Sequence, residues 1–124
     1  MKVAVIGCTH AGTAAILNLK RIYPDSDVTV FERNDNISFL SCGIALYVGG
    51  VVKDAQGLFY CSPDKLKELN VDTKMRHNVE SADIKGKKII AKNLETGVET
   101  EHAFDKLIIT SGSWPIIPRI EGID

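Results

Sequence analysis

Two groups of residues near the start of the sequence have types and spacings suited to chemistry. The first is a glycine cluster from Gly7 to Gly12, followed by Glu32 20 residues after Gly12. Glycines let backbone N–H groups approach a phosphate, and an acid accepts hydrogen bonds from ribose hydroxyls. The second group is the thiol of Cys42 together with His10 of the glycine cluster. A thiolate can be oxidised reversibly to a sulfenic acid, and histidine exchanges protons near neutral pH.

A βαβ unit is predicted to position these residues. Residues Lys2 to Ile6 and Asp27 to Glu32 are β-branched runs that predict strands, and Thr13 to Ile22 predicts a helix with one apolar side. The glycine turn follows the first strand and opens the helix, as in the dinucleotide-binding fingerprint. Thr9 occupies the middle glycine position, which narrows the approach to a pyrophosphate. The spacing alone leaves FAD, NAD and a turn without ligand as alternatives.

The rest of the chain completes an α/β protein. Ile37 to Gly50 is apolar and predicts a helix that begins near Cys42, and Pro63 to Leu69 predicts a second short helix. Lys106 to Thr110 predicts another parallel strand. We therefore predict a Rossmann-like domain with a parallel sheet and a small antiparallel β-meander over about residues 71–104. The three strands of this meander are placed near Val71–Met75, Lys87–Lys92 and Val98–Ala103.

Composition limits the function classes. The net charge of −1 offers no basic surplus for nucleic acid. No apolar run approaches the roughly 20 residues needed to span a bilayer, and the N-terminus lacks the pattern of a signal peptide, so we expect a cytoplasmic protein that does not bind membranes. The three cysteines form no CxxC pair, so we expect neither a disulfide scaffold nor a metal site. Cys8 and Cys61 are expected to be packing residues, and His77 and His102 to lie on the surface.

Two segments resemble a known family of flavoenzymes. Asn36–Leu46, with the sequence NISFLSCGIAL, resembles the redox-cysteine segment of the NADH oxidase, NADH peroxidase and CoA-disulfide reductase family. Asp105–Ser113, with the sequence DKLIITSGS, resembles the second FAD motif of the same superfamily, the pyridine nucleotide-disulfide oxidoreductases. The resemblance runs along all 124 residues. The glycine turn and the Ile44–Tyr47 stretch are most similar to the water-forming oxidases.

The resemblance implies an FAD site and a redox-active centre. Cys42 would lie beside the isoalloxazine and cycle between thiolate and cysteine sulfenic acid, with His10 near it as a proton shuttle. These two are the implied catalytic residues, and Thr9 is tolerated at the middle glycine position in this family. The implied FAD-binding residues are Gly7, Thr9, His10, Ala11 and Gly12 at the pyrophosphate, Glu32, Arg33 and Asn34 at the adenosine ribose, Val79 at the adenine, and Thr110, Ser111, Gly112 and Cys42 elsewhere along the cofactor.

The implied function is that of an FAD-dependent NADH oxidase that reduces O₂ to water. NADH peroxidase and CoA-disulfide reductase are alternatives within the family, and a non-catalytic dinucleotide-binding module is an alternative of another class. The partners would be NADH with O₂ or peroxide, and the complete enzyme would be a homodimer. Residues 1–114 would be the N-terminal part of the FAD-binding domain. Residues 115–124 would begin a linker to an absent NADH-binding domain, so this chain alone is expected to lack turnover.

Overall fold

The computed structural model describes residues 1–113 and 116–122 of the chain. Trp114, Pro115, Ile123 and Asp124 lie outside the described residues. The predicted boundary between domain and linker, at residues 114 and 115, therefore also falls outside them. The helices are α1 His10–Ile22, α2 Ile44–Val48 and α3 Pro63–Glu68. The strands are β1 Lys2–Ile6, β2 Asp27–Glu32, β3 Val71–Met75, β4 His77–Asp83, β5 Lys88–Asn93, β6 Glu99–Ala103 and β7 Lys106–Ile109.

Four strands form a parallel sheet in the order β3-β2-β1-β7. The central strands β1 and β2 are apolar and β-branched, as is typical of strands covered on both faces. On one face Val5, Val28 and Val30 form a core cluster with Ile16 of α1. On the other face Phe31 packs with Ile89, Ala91 and Phe104. The predicted α/β class with a parallel sheet is confirmed.

The antiparallel sheet differs from the predicted meander. It contains β4, β5 and β6, whereas Val71–Met75 pairs with β2 as an edge strand of the parallel sheet. The prediction that this segment begins the meander is therefore wrong. Arg76, with φ of +57°, separates β3 from β4 and sends the chain from one sheet to the other. A left-handed conformation is uncommon at arginine. Because no glycine or proline marks this position, the sequence gives no signal that the chain changes sheet here.

The helices are short, and their ends follow the local sequence. The side chain of Ser62 accepts a hydrogen bond from the N–H of Lys65 at 3.3 Å, and Pro63 occupies the first turn of α3, as predicted. The helix predicted near Cys42 is present as α2, which begins at Ile44 and ends before Gly49. The longest helix, α1, has 13 residues. No helix among the described residues has the length and hydropathy needed to cross a membrane.

Candidate functional site

The glycine turn between β1 and α1 is a site of close backbone packing. Gly7 has φ of +89°, and a Cβ atom at this position would collide with the carbonyl oxygen of Thr110. A Cβ atom on Gly12 would collide with the carbonyl oxygen of Gly7. The Thr110 hydroxyl lies 2.9 Å from the carbonyl oxygens of both Ile6 and Gly7. The ends of β1 and β7 and the start of α1 are thus held together, and only glycine fits at positions 7 and 12.

Glu32 ends β2 directly beside this turn and is only 2% exposed. Its Oε2 atom accepts a hydrogen bond from the N–H of Cys8 at 2.7 Å. Its Oε1 atom accepts from the backbone and side chain of Asn34, at 2.9 and 2.8 Å. Because a carboxylate offers about four acceptor positions, Glu32 keeps capacity for a ribose hydroxyl. Its hydrogen bond to the turn is a structural role that the sequence did not reveal.

The N-terminus of α1 is suited to an anion. Thr9 is its cap residue, and the Thr9 side chain makes no capping hydrogen bond. The first turn contains no acidic residue. The first N–H groups of the helix, and the positive end of its dipole, therefore remain available for a ligand such as a phosphate. Thr9 has φ of −81°, so the backbone does not require glycine at this position.

A cavity of about 140 Å³ lies at the carboxyl ends of β1 and β2. Such a position is the usual ligand site of an open parallel sheet. A β-bulge between Val79 and Ser81 interrupts the pairing of β4 at the wall of the cavity. Of the predicted FAD residues, the cavity brings together Gly7, Arg33, Val79 and Ser111. Its other lining residues, which the sequence did not single out, are Ile6, Phe31, His77 and Asn78.

Cys42 is exposed and lies in a single helical turn, Ser41–Gly43, just before α2. Ser38 anchors the segment that carries it. The N–H of Ser38 donates to the carbonyl oxygen of Cys8 in the glycine turn at 2.8 Å. The Ser38 hydroxyl donates to the carbonyl oxygen of Cys61 at 2.7 Å and accepts from its N–H at 2.9 Å. The cysteine segment is therefore tied directly to the turn.

The other two thiols are enclosed by the protein. Cys8 is 0% exposed, and Cys61 belongs to the same core cluster. Burial raises the pKa of Cys8 from 9.0 to about 11. The prediction that both are packing residues is confirmed, and all three cysteines are free thiols. Among the described residues, no group of three or more His, Cys, Asp or Glu side chains could hold a metal.

The three histidines occupy different environments. His10 is exposed at the start of α1, and its ring stacks on Tyr60, with centroids 5.6 Å apart. His77 and His102, predicted to lie on the surface, are both half-buried and thus only partly exposed. The His102 ring packs edgewise on Phe31 at 4.8 Å, and burial lowers the pKa of His102. The stack of Tyr60 on His10 is a contact that the sequence did not predict.

A parallel sheet with a glycine turn, an acid at the end of β2 and a cavity at the strand ends defines a protein with the Rossmann-type fold. The sequence profile of the pyridine nucleotide-disulphide oxidoreductases matches residues 1–124, and the chain belongs to this family. The NADH oxidase of Enterococcus faecalis is 59% identical over 124 residues, which cover the whole chain and 28% of that relative.

A solved structure gives the same fold. The water-forming NADH oxidase of Lactobacillus brevis, bound to NADH, has a TM-score of 0.96 and 56% identity, over the whole of this chain and 28% of that one. The coenzyme A disulfide reductase of Staphylococcus haemolyticus is 28% identical over 113 residues, covering 90% of this chain and 26% of that relative. The chain therefore spans about a quarter of the length of these relatives.

Proposed function

We propose that the chain is the FAD-binding part of an NADH oxidase that reduces O₂ to water through a single redox cysteine. The observation that carries the proposal is the position of Cys42. It is the one exposed thiol of the three, and Ser38 ties its segment to the glycine turn. The relatives named NADH oxidase are more similar in sequence than the coenzyme A disulfide reductase, which favours an oxidase.

The residues present fit an FAD molecule. The uncapped N-terminus of α1 would hold the pyrophosphate, and Gly7 and Gly12 permit the close backbone approach that this requires. The cavity lined by Arg33 and Val79 would take the adenosine end, with Glu32 accepting from ribose hydroxyls. Ser111 and Gly112, which follow β7, would close over the cofactor. When bound, FAD would accept a hydride from NADH and pass electrons to O₂, giving peroxide.

Cys42 would then complete the reduction to water. Its thiolate sulfur attacks one oxygen of hydrogen peroxide, the O–O bond breaks, and the leaving hydroxide takes up a proton and departs as water. The sulfur, now oxidised by two electrons, is a sulfenic acid. Because Cys8 and Cys61 are buried, neither of the other thiols in these 124 residues is accessible to form a disulfide with Cys42. Two electrons from a second NADH and one proton then convert the sulfenic acid back to the thiolate and release a second water.

Replacing the Cys42 thiol tests this proposal. In the complete protein, Cys42→Ser should still oxidise NADH but release hydrogen peroxide in amounts close to the NADH consumed. A peroxide assay alongside NADH absorbance and oxygen uptake measures the ratio. Ser41→Ala changes the neighbouring exposed residue and should release little peroxide. A Cys42→Ser protein that still forms only water would show that Cys42 does not have this role.

The choice of electron acceptor separates the family's alternatives. NADH consumption with O₂, with peroxide and with CoA disulfide should be fastest with O₂. Faster turnover with peroxide or CoA disulfide would favour the corresponding enzyme. A complete protein that binds no flavin would instead favour a non-catalytic module. We also propose a cytoplasmic location and a homodimer for the complete enzyme, on the strength of the family resemblance.

A further inference from the structure

We infer that Tyr60 is a positioning residue that fixes the imidazole ring of His10 for the reaction of Cys42 with peroxide. The inference rests on the proposed function and adds to it a residue that neither the sequence motifs nor the fingerprint contains. The rings of Tyr60 and His10 are nearly parallel, with an interplanar angle of 15° and centroids 5.6 Å apart. The Tyr60 hydroxyl also donates to the carbonyl oxygen of His10 at 3.3 Å.

Tyr60 belongs to the same short segment that holds the cysteine segment in place. Its neighbours on both sides make that connection, because Phe59 forms a β-bridge with Phe39 and Cys61 hydrogen-bonds to Ser38. The Phe39 and Phe59 rings pack together at 5.4 Å. Tyr60 itself turns to α1 and stacks on His10. One segment therefore connects Phe39, three residues before Cys42, to the histidine at the start of α1.

The stack on Tyr60 matters because it is the main contact that orients the His10 ring within the described part of the chain. The residue is exposed, and within the described chain its ring nitrogens have no hydrogen-bond partner. An unpaired imidazole can hydrogen-bond to a peroxide oxygen or supply the proton that the leaving hydroxide needs. A ring free to rotate would meet the substrate in the right orientation only part of the time. Stacking on an aromatic face restricts the ring plane while leaving both nitrogens accessible.

The test compares substitutions at Tyr60 in the complete flavoprotein. After mixing with hydrogen peroxide, sulfenic acid at Cys42 is trapped with dimedone and quantified by mass spectrometry. Tyr60→Leu, which removes the stack, should slow this oxidation about tenfold or more. Tyr60→Phe, which keeps the ring and loses the hydroxyl, should remain within about twofold of the native rate. Tyr23→Leu removes an exposed ring at the other end of α1, away from His10 and from the cysteine segment, and should leave the rate unchanged.

An NMR measurement tests the stack independently of peroxide chemistry. With ring-labelled histidine, the His10 ring protons should show an upfield ring-current shift that persists in Tyr60→Phe and disappears in Tyr60→Leu. Equal oxidation rates in Tyr60→Leu and the native protein would overturn the inference, and so would a missing ring-current shift. Failure of the native protein to form any trapped sulfenic acid would instead refute the proposed function, whatever the NMR result.

Discussion

At the scale of single residues, environment divides three chemically identical thiols into two roles. Cys42 is exposed, whereas Cys8 is fully enclosed between the glycine turn and α1, where its sulfur lies 3.6 Å from the Thr13 hydroxyl. Burial penalises the charged form of Cys8, and the nearby Glu32 carboxylate adds to this penalty. A buried protonated thiol is a poor nucleophile. Cys8 can therefore lie in the glycine turn without competing with Cys42 for an oxidant.

Because the Cys8 thiol is buried, we expect the free energy of unfolding to fall at alkaline pH. The pKa of Cys8 rises from 9.0 in the unfolded chain to about 11 in the folded protein. Between these values the unfolded state releases the proton first, so stability falls as the pH rises through this window and is unaffected by Cys8 below it. The loss should reach about 2 to 3 kcal/mol, at about 1.4 kcal/mol per pKa unit.

Urea unfolding at several pH values from 8 to 11 measures this effect. Cys8→Ala serves as the control, since lysine and tyrosine titration is common to both proteins. The free energy of unfolding of Cys8→Ala should decline less steeply above pH 9. Parallel slopes in the two proteins would show that the Cys8 thiol ionises as easily in the folded state as in the unfolded state.

At the scale of secondary-structure elements, local sequence patterns predicted the strands and helices whose conformation depends mainly on neighbouring residues. The strands Lys2–Ile6 and Asp27–Glu32 were predicted at their observed bounds, because a β-branched run beside a glycine turn has few other conformations. Strand pairing is not local, so the sequence did not reveal that Val71–Met75 joins the parallel sheet. In the candidate site, the turn and Cys42 were found from motifs. The stack between His10 and Tyr60 joins residues 50 positions apart and was missed.

The hydrogen bonds between Ser38 and Cys61, which anchor the cysteine segment, can be tested by substitution. Ser38→Ala removes both hydrogen bonds to Cys61 and leaves a buried N–H and a buried carbonyl oxygen without that partner. Each buried unsatisfied group costs about 1 to 3 kcal/mol, so with two such groups the free energy of unfolding should fall by about 2 to 6 kcal/mol. Because the anchor holds the cysteine segment, hydrogen exchange in residues 37–43 should also become faster.

A second serine provides the matched control. Ser62 caps α3 by accepting from the N–H of Lys65, and Ser62→Ala should cost only about 1 kcal/mol. That variant should leave hydrogen exchange in residues 37–43 unchanged. Equal losses of stability in the two variants, with slow exchange retained in Ser38→Ala, would mean that the Ser38–Cys61 pair does not hold this segment.

At the scale of the whole molecule, two features of the described surface invite further contacts. Strand β7 pairs with β1 on one side, and within the described residues its other side has no strand partner. The apolar residues of α2 and the segment after it are exposed, among them Val48 at 79% and Val51 at 70%. Free strand edges and exposed apolar surface both promote association. The net charge of −1 provides little repulsion to oppose it.

Residues 1–124 prepared on their own should therefore self-associate as their concentration rises. Val48→Glu combined with Val51→Glu should shift the distribution towards monomer, because two charges would have to be buried in the contact. Since both side chains are mostly exposed, the free energy of unfolding should change by less than about 0.5 kcal/mol. Sedimentation velocity over a hundredfold concentration range measures the distribution. Val98→Glu, an exposed substitution in the turn before β6, should leave association unaltered. If it reduces association as much as the paired change does, the effect reflects total charge, and the α2 surface is not the contact.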